Sequence, residues 1–113
     1  MERHVLVVLT NAVEGTDDEF NAWYDQVHLR EVLALPGFVA AQRFKVAASL
    51  GAPSPQAYLS LYEIEAEDLD GAIATLRAAS PGMDISATLD RSTVAAFGFT
   101  AIGPRVTEGD FPS

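Results

Sequence analysis

Tyr24 and His28 are the two residues of this sequence whose types and spacing point most directly to chemistry. They lie about one helical turn apart, on a predicted helix face that also carries Phe20, and we expect this apolar face to be buried. A buried phenol or imidazole is costly unless it is hydrogen-bonded or lines a cavity used for chemistry. The pair therefore indicates general acid/base catalysis by His28, with Tyr24 donating to a carbonyl or enolate oxygen. The alternative is a structural histidine bonded to a backbone carbonyl or to Glu31.

Further residues are candidates for holding a substrate beside this pair: Asn21, Trp23, Arg43, Tyr62 and Phe97. Asn21 either orients a substrate or bonds locally near the start of the helix. Arg43 projects from a predicted strand, where it either binds a carboxylate or phenolate or pairs with an acid across a dimer. Tyr62 either reaches the cavity or packs within its strand. The rings of Trp23 and Phe97 belong either to the core or to the wall of an aromatic-substrate pocket.

Composition limits the classes of function open to this chain. Its 113 residues suffice for one domain with one hydrophobic core, and 49% of them are hydrophobic. Sixteen acidic residues against seven basic ones leave a net charge of −9, which argues against nucleic acid and anionic membranes as partners. Cysteine is absent, so disulfides and thiolate chemistry are excluded. With neither a signal-peptide pattern nor an apolar run of membrane-spanning length, a cytoplasmic protein is expected.

Hydrophobic patterning predicts six elements in the order β-α-β-β-α-β, at residues 3–10, 16–35, 38–46, 56–64, 67–79 and 93–102. Thr16 and Glu19 have the spacing of a capping box at the start of the first helix. Pro36 ends that helix, because proline restricts the residue before it. The large aromatic side chains of the strands are expected in the core: Phe38, Phe44, Phe97 and Phe99.

This order is typical of an α+β fold, the ferredoxin-like βαββαβ sandwich with an antiparallel sheet. It predicts a single domain over residues 1–102 and a C-terminal tail over 103–113 that is loosely ordered or packed on a partner. The two helices should cover one face of the sheet. Because the first strand is apolar on both sides, the other face also needs cover, and a homodimer that buries two such sheets would provide it.

Two stretches carry a resemblance to a known family, Asn21–Leu29 (NAWYDQVHL) and Leu35–Phe38 (LPGF). They resemble the small dimeric α+β barrel proteins of the EthD-like kind, which typically have a tyrosine and a histidine one turn apart on the first helix. The resemblance implies a dimeric α+β barrel. It also implies a function among cofactor-free monooxygenases of polyketide pathways, lactone isomerases, decarboxylases, cyclases and haem-binding enzymes. The fold by itself does not select one of these activities.

The chain lacks the sequence patterns of several other kinds of site. There is no Gly-x-Ser-x-Gly turn, no phosphate-binding glycine loop and no paired-histidine spacing for zinc. Together with the resemblance, these absences lead us to expect a cofactor-independent enzyme, without a metal, that acts on a hydrophobic aromatic or polyketide-like carbonyl compound. It would be an isomerase, a cyclase, a lyase or a cofactor-free monooxygenase. The alternatives are a non-catalytic dimeric ligand-binding or accessory protein, and a haem-binding protein in which His28 is the axial ligand.

Overall fold

A computed structural model describes residues 2–112 as an antiparallel sheet with helices packed on one face. The strands are β1 (Glu2–Thr10), β2 (Phe38–Lys45), β3 (Tyr58–Ala66) and β4 (Ala95–Thr100). The first helix consists of α1 (Asp17–Trp23), a π-helical turn (Tyr24–His28) and α2 (Leu29–Leu33), and the second helix is α3 (Leu69–Ala79). Short 3-10 turns occur at Ser80–Gly82, Arg91–Thr93 and Glu108–Asp110.

The strand order is β2-β3-β1-β4, and each neighbouring pair is antiparallel. This arrangement confirms the predicted ferredoxin-like α+β sandwich. All six predicted elements are present, and their ends lie within two residues of the observed ones. Hydrophobic periodicity therefore predicted the elements well, because each one buries a single continuous apolar face.

The core lies between the sheet and the helices, in two clusters of buried side chains. One cluster joins Leu6, Tyr62 and Ile64 of the sheet to Val32 of α2 and Ala72 of α3. The other is aromatic and consists of Phe20, Tyr24 and Tyr58. A Cβ atom at Gly98 would lie 3.0 Å from the side chain of Leu69, so glycine lets α3 approach β4 closely.

The π-helical turn changes which residues of the first helix face the core. A regular helix would place Val32 roughly 80° away from Tyr24 around the helix axis. The extra residue in the π turn rotates the following residues by roughly 100°, which brings Val32 back into line with Tyr24. Val32 is buried and Ala34 is exposed.

The predicted capping box at Thr16 is wrong. The Thr16 side chain makes no cap hydrogen bond to the helix, and its hydroxyl instead donates to the backbone carbonyl of Val13 at 2.6 Å. The loop before the helix therefore takes the hydroxyl that would have capped it. Acidic residues in the first turn of α1 still complement the positive end of the helix.

A β-bulge between Phe38 and Ala40 interrupts the alternation of β2, so Phe38 and Phe44, both expected in the core, lie on opposite faces. Phe38 lies on the helix-covered face and is buried, whereas Phe44 lies on the opposite, open face of the sheet and is exposed. Phe97 and Phe99 also lie on this open face, about half exposed, so they do not belong to the core within one chain. The middle of the open face is formed by partly buried aliphatic side chains from the two central strands, Val5, Val7, Leu9, Leu59 and Leu61. Arg3 and Glu63 form an ion pair on the same face.

The described part of the C-terminal tail lies outside the sheet. Ala101 still donates a backbone hydrogen bond to Arg3, and residues 102–112 are exposed. Ile102 and Phe111 are among the exposed large hydrophobic residues. Whether this tail packs on a partner stays a prediction.

Candidate functional site

A cavity of about 420 Å³ lies between the first helix, α3 and the sheet. Its volume is within the range of pockets that hold small organic ligands. Three polar rings contribute to its lining, those of Tyr24, His28 and Tyr62. Most of the remaining wall is apolar and comes from the sheet, the helices and the segment after α3: Leu6, Val8, Val32, Ile73, Leu76, Met83, Ile85, Ala96 and Gly98. The structure thus brings together the two residues that the sequence singled out, with Tyr62 beside them.

His28 is held by contacts on three sides. The Trp23 ring stacks on the imidazole with centroids 5.0 Å apart, and the Tyr24 ring meets it edge-on at 5.1 Å. Nδ1 lies 3.2 Å from a carboxylate oxygen of Glu31. Burial lowers the pKa of His28 below its ordinary value of 6.5, and the Glu31 carboxylate opposes that shift. His28 is therefore mainly neutral at pH 7, which is the form that accepts a proton.

Tyr62 carries a buried hydroxyl for which no hydrogen-bond partner is found among residues 2–112. Only 1% of this residue is exposed, and burial, together with the nearby Tyr24 phenol, raises the pKa of Tyr62 well above its ordinary value. A buried hydroxyl without a partner is uncommon and calls for a reason. Tyr62 contributes to the cavity wall, while its hydroxyl is buried near the side chains of Tyr24 and Ser60.

Asn21 and Arg43 belong to a neighbouring polar cluster rather than to the cavity lining. The Arg43 guanidinium donates to Asp25 at 3.1 Å and to Asn21 at 2.9 Å, and it lies 4.3 Å from the centre of the Tyr24 ring. Both residues line a separate, open pocket of about 480 Å³. The acid that pairs with Arg43 is thus in its own chain, and the guanidinium supports the outer side of Tyr24 by a cation–π contact.

The two aromatic candidates are placed differently from each other. Trp23 does not line the cavity but stacks on His28, and its indole N–H donates to the backbone carbonyl of Asp84 at 2.7 Å. Phe97 lies on the open face of the sheet, 51% exposed, where it does not reach the cavity. The alternation of β4 explains this placement, since Ala96 and Gly98 occupy the cavity side.

Some cavity residues were not identified from the sequence. Arg77 and Ser80 line the cavity from the end of α3, and Met83 and Ile85 do so from the segment that follows. That segment has no clear hydrophobic periodicity. Apart from its apolar side chains, nothing in the sequence indicated that it forms part of the cavity wall. The charge of Arg77 is the one signal that could have marked a polar position in an otherwise apolar wall.

Removing the Tyr62 hydroxyl is expected to leave the protein as stable as before or to stabilise it by up to about 1 kcal/mol, because no hydrogen bond is lost. Chemical denaturation of Tyr62→Phe measures this change. Tyr58→Phe is the matched control: the Tyr58 hydroxyl donates to Asp17, so its removal should destabilise the protein by about 1 kcal/mol. A loss of stability in Tyr62→Phe equal to that in Tyr58→Phe would show that the Tyr62 hydroxyl has a structural partner.

The described residues lack both a metal-binding cluster and a membrane-spanning helix. Residues 2–112 contain no group of three or more His, Asp and Glu side chains arranged to hold a metal ion. Within the same residues, no helix is both long enough and apolar enough to cross a membrane.

Comparison with known proteins shows which fold this is. No protein-family model and no curated protein sequence matches the chain. Among solved structures it is similar to the haem-degrading protein MhuD from Mycobacterium tuberculosis, with two haems bound in its active site (16% identity, 91% of this chain and 99% of that chain, TM-score 0.60). It is similar to SnoaB, a cofactor-independent oxygenase from Streptomyces nogalater (18% identity, 96% and 98%, TM-score 0.55). It is also similar to an EthD family protein from Bacillus halodurans (14% identity, 94% and 100%, TM-score 0.58). These likenesses confirm the ferredoxin-like α+β fold of the chain, and at such identities they show the fold alone.

Proposed function

We propose that this protein is a cofactor-independent enzyme that moves a proton next to the carbonyl group of a hydrophobic, aromatic or polyketide-like compound. The observation that supports this most is one arrangement: a histidine held in its neutral form beside two phenols at the wall of an apolar cavity. A neutral imidazole accepts a proton from carbon, and phenol hydroxyls stabilise the oxygen on which negative charge develops.

The proposed step needs only groups of this chain and the substrate. His28 accepts a proton from the carbon next to the carbonyl, the electron pair of that C–H bond moves onto the carbonyl oxygen, and an enolate forms. The hydroxyl of Tyr24 donates to the enolate oxygen, and Tyr62 forms the wall beside it. Return of the proton to another atom gives isomerisation, and loss of a leaving group or attack on a second carbonyl gives a lyase or a cyclase. In the monooxygenase type the co-reactant O₂ reacts with the enolate carbon: a substrate CH₂ group is oxidised to C=O, one oxygen atom enters the product, and the other leaves as water with the two hydrogens.

The apolar wall selects the substrate class. Aliphatic side chains surround the three polar rings, so a ligand gains most by burying a hydrophobic body and presenting one or two oxygen atoms to the phenols. Exclusion of water by such a wall also strengthens the hydrogen bonds to the enolate.

We also propose that two copies of the chain associate through the open faces of their sheets. The exposed rings of Phe44, Phe97 and Phe99 lie on that face, next to aliphatic side chains of β1 and β3. Contiguous exposed apolar surface of this kind is typical of an interaction site. A second copy presents the same surface, so a symmetric dimer buries both faces at once.

The function is tested with 2-tetralone, a bicyclic aromatic ketone small enough for the cavity. In D₂O the wild-type protein should accelerate the exchange of its α-protons, with a rate that saturates at high ketone concentration, and ¹H NMR follows the loss of the α-proton signal. A saturable change in tryptophan fluorescence without accelerated exchange would identify a carrier for such ligands rather than an enzyme.

Haem binding is the second candidate function. The side chain of His28 fits an axial ligand, because its Nε2 has no hydrogen-bond partner among the described residues and neutral imidazole ligates iron. His28 would then hold the iron, and the haem would supply its redox chemistry. Addition of haemin tests this possibility: a shifted Soret band that is lost in His28→Ala supports it, and an unshifted band rules it out.

A further inference from the structure

We propose that Glu31 is a positioning residue that holds neutral His28 in a single tautomer, with the proton on Nδ1 and with Nε2 free as the base. The catalytic consequence rests on the proposed function. The tautomer itself does not, because it follows from the hydrogen bonds of the free protein.

The contact between Glu31 and His28 defines which ring nitrogen carries the proton. Oε1 of Glu31 lies 3.2 Å from Nδ1 of His28. An ionised carboxylate can only accept hydrogen bonds, so Nδ1 must be the donor. Nε2 then has the lone pair, and it is the nitrogen left for a ligand in the cavity.

Glu31 is itself held by the backbone of the segment that walls the cavity. Its second oxygen, Oε2, accepts a hydrogen bond from the backbone N–H of Asp84 at 2.7 Å. The backbone carbonyl of Asp84 accepts a hydrogen bond from the Trp23 indole N–H at 2.7 Å. Glu31 and Trp23 thus both contact His28 and both bind Asp84, so the imidazole, the carboxylate and the segment after α3 form one connected unit.

The π turn makes this unit possible. Trp23 and His28 are five residues apart, and a regular α-helix would separate residues at that spacing by roughly 140° around the axis. The π turn spans Tyr24–His28 and reduces that separation, so the two rings stack. π turns of this kind occur frequently at functional sites.

Among the described residues, Glu31 is the acid that is hydrogen-bonded to His28. The other titratable or charged side chains that share the cavity are those of Tyr24, Tyr62 and Arg77. Arg77 can only donate hydrogen bonds, the two tyrosine hydroxyls can donate or accept, and the hydrogen bond of Nδ1 is with Glu31. The tautomer should therefore follow the chemistry of residue 31.

Glu31→Gln is expected to reverse the tautomer. The glutamine amide has only one oxygen. We expect this oxygen to take the position of the shorter contact, where it accepts the hydrogen bond from the Asp84 backbone N–H. The NH₂ group then faces Nδ1 and can only donate, so Nδ1 becomes the acceptor and the proton moves to Nε2. The base at Nε2 is lost although the shape of residue 31 hardly changes.

The tautomers can be read by two-dimensional ¹H–¹⁵N NMR of ¹⁵N-histidine-labelled protein at a pH where the rings are neutral. The chain has two histidines, so the assignment is direct. His4 is an internal reference of the opposite kind: its Nε2 donates to the Ala66 carbonyl and its Nδ1 accepts from the Thr100 hydroxyl. We expect the Nδ1–H form at His28 in the wild type and the Nε2–H form in Glu31→Gln. An Nε2–H form in the wild type, or no change in the variant, would overturn the proposal.

Two control variants separate this role from general effects. Glu19→Gln removes an exposed acid from α1 and should leave the His28 tautomer unchanged. Trp23→Phe removes the indole bond to Asp84 but keeps the carboxylate, so the Nδ1–H form should persist. If the wild type shows that form but does not accelerate 2-tetralone exchange, the positioning by Glu31 holds and the proposed function fails.

Discussion

Replacing His28 with glutamine is expected to slow the protein-catalysed exchange of 2-tetralone α-protons by roughly 100-fold to 10,000-fold, the usual contribution of a positioned general base. Glutamine can still form hydrogen bonds but cannot accept a proton at neutral pH. The size of the effect follows from the cavity, because no carboxylate lines it that could replace the imidazole. The measurement is the initial rate of α-proton loss in D₂O, after subtraction of the rate in buffer.

The same replacement at His4 is the matched control. His4 is buried and bonded to Thr100 and to Ala66, and it lies outside the cavity. His4→Gln should therefore retain the exchange rate when it is assayed below its own unfolding transition. Full exchange activity in a folded His28→Gln protein would contradict the catalytic role of His28.

Replacing Phe97 with glutamate is expected to convert a dimer into a monomer and to raise the dissociation constant by at least about 100-fold, equivalent to about 2.7 kcal/mol. Phe97 lies on the open face of the sheet, 51% exposed in one chain. In a symmetric dimer the substitution occurs twice, and removing each carboxylate from water costs several kcal/mol. Analytical ultracentrifugation over a range of concentrations measures the dissociation constant.

Leu33→Glu is the control for this experiment. Leu33 is a large exposed hydrophobic residue on α2, away from the open face, so its replacement should leave the dimer intact. A wild-type protein that is monomeric at all concentrations, or an unchanged dimer in Phe97→Glu, would show that the open face has another role.

The sequence predicted the architecture because its apolar segments have the lengths and periods of strands and helices and are separated by turn residues. It also placed Tyr24 and His28 on the inward face of the first helix, where the structure has them. The π turn had no such signal, since nothing in the local composition separates it from a regular helix. The burial of Val32 and the stack of Trp23 on His28 both depend on that turn, so both were beyond a regular-helix prediction.

The placement of the other site candidates depended on long-range packing. Alternation predicted that Phe97 and Phe99 share a face, but it could not say which face the helices cover. The sequence offered an acid across a dimer as a partner of Arg43, whereas Asp25 lies 18 residues earlier in the same chain, and charge alone did not select it. The bulge at Phe38 shifted one residue of β2, which a strict period of two cannot show.

The pKa of His28 and the pH dependence of catalysis together test the central claim, that neutral His28 in this cavity is the base. NMR titration of His28 gives its pKa directly, and we expect a value below 6.5 because burial lowers it. The rate of 2-tetralone exchange, measured as kcat/KM, should fall with decreasing pH along a single limb whose midpoint equals that pKa, since protonated His28 cannot accept a proton. A rate that does not change across the titration of His28, or a limb displaced from it, would contradict the account.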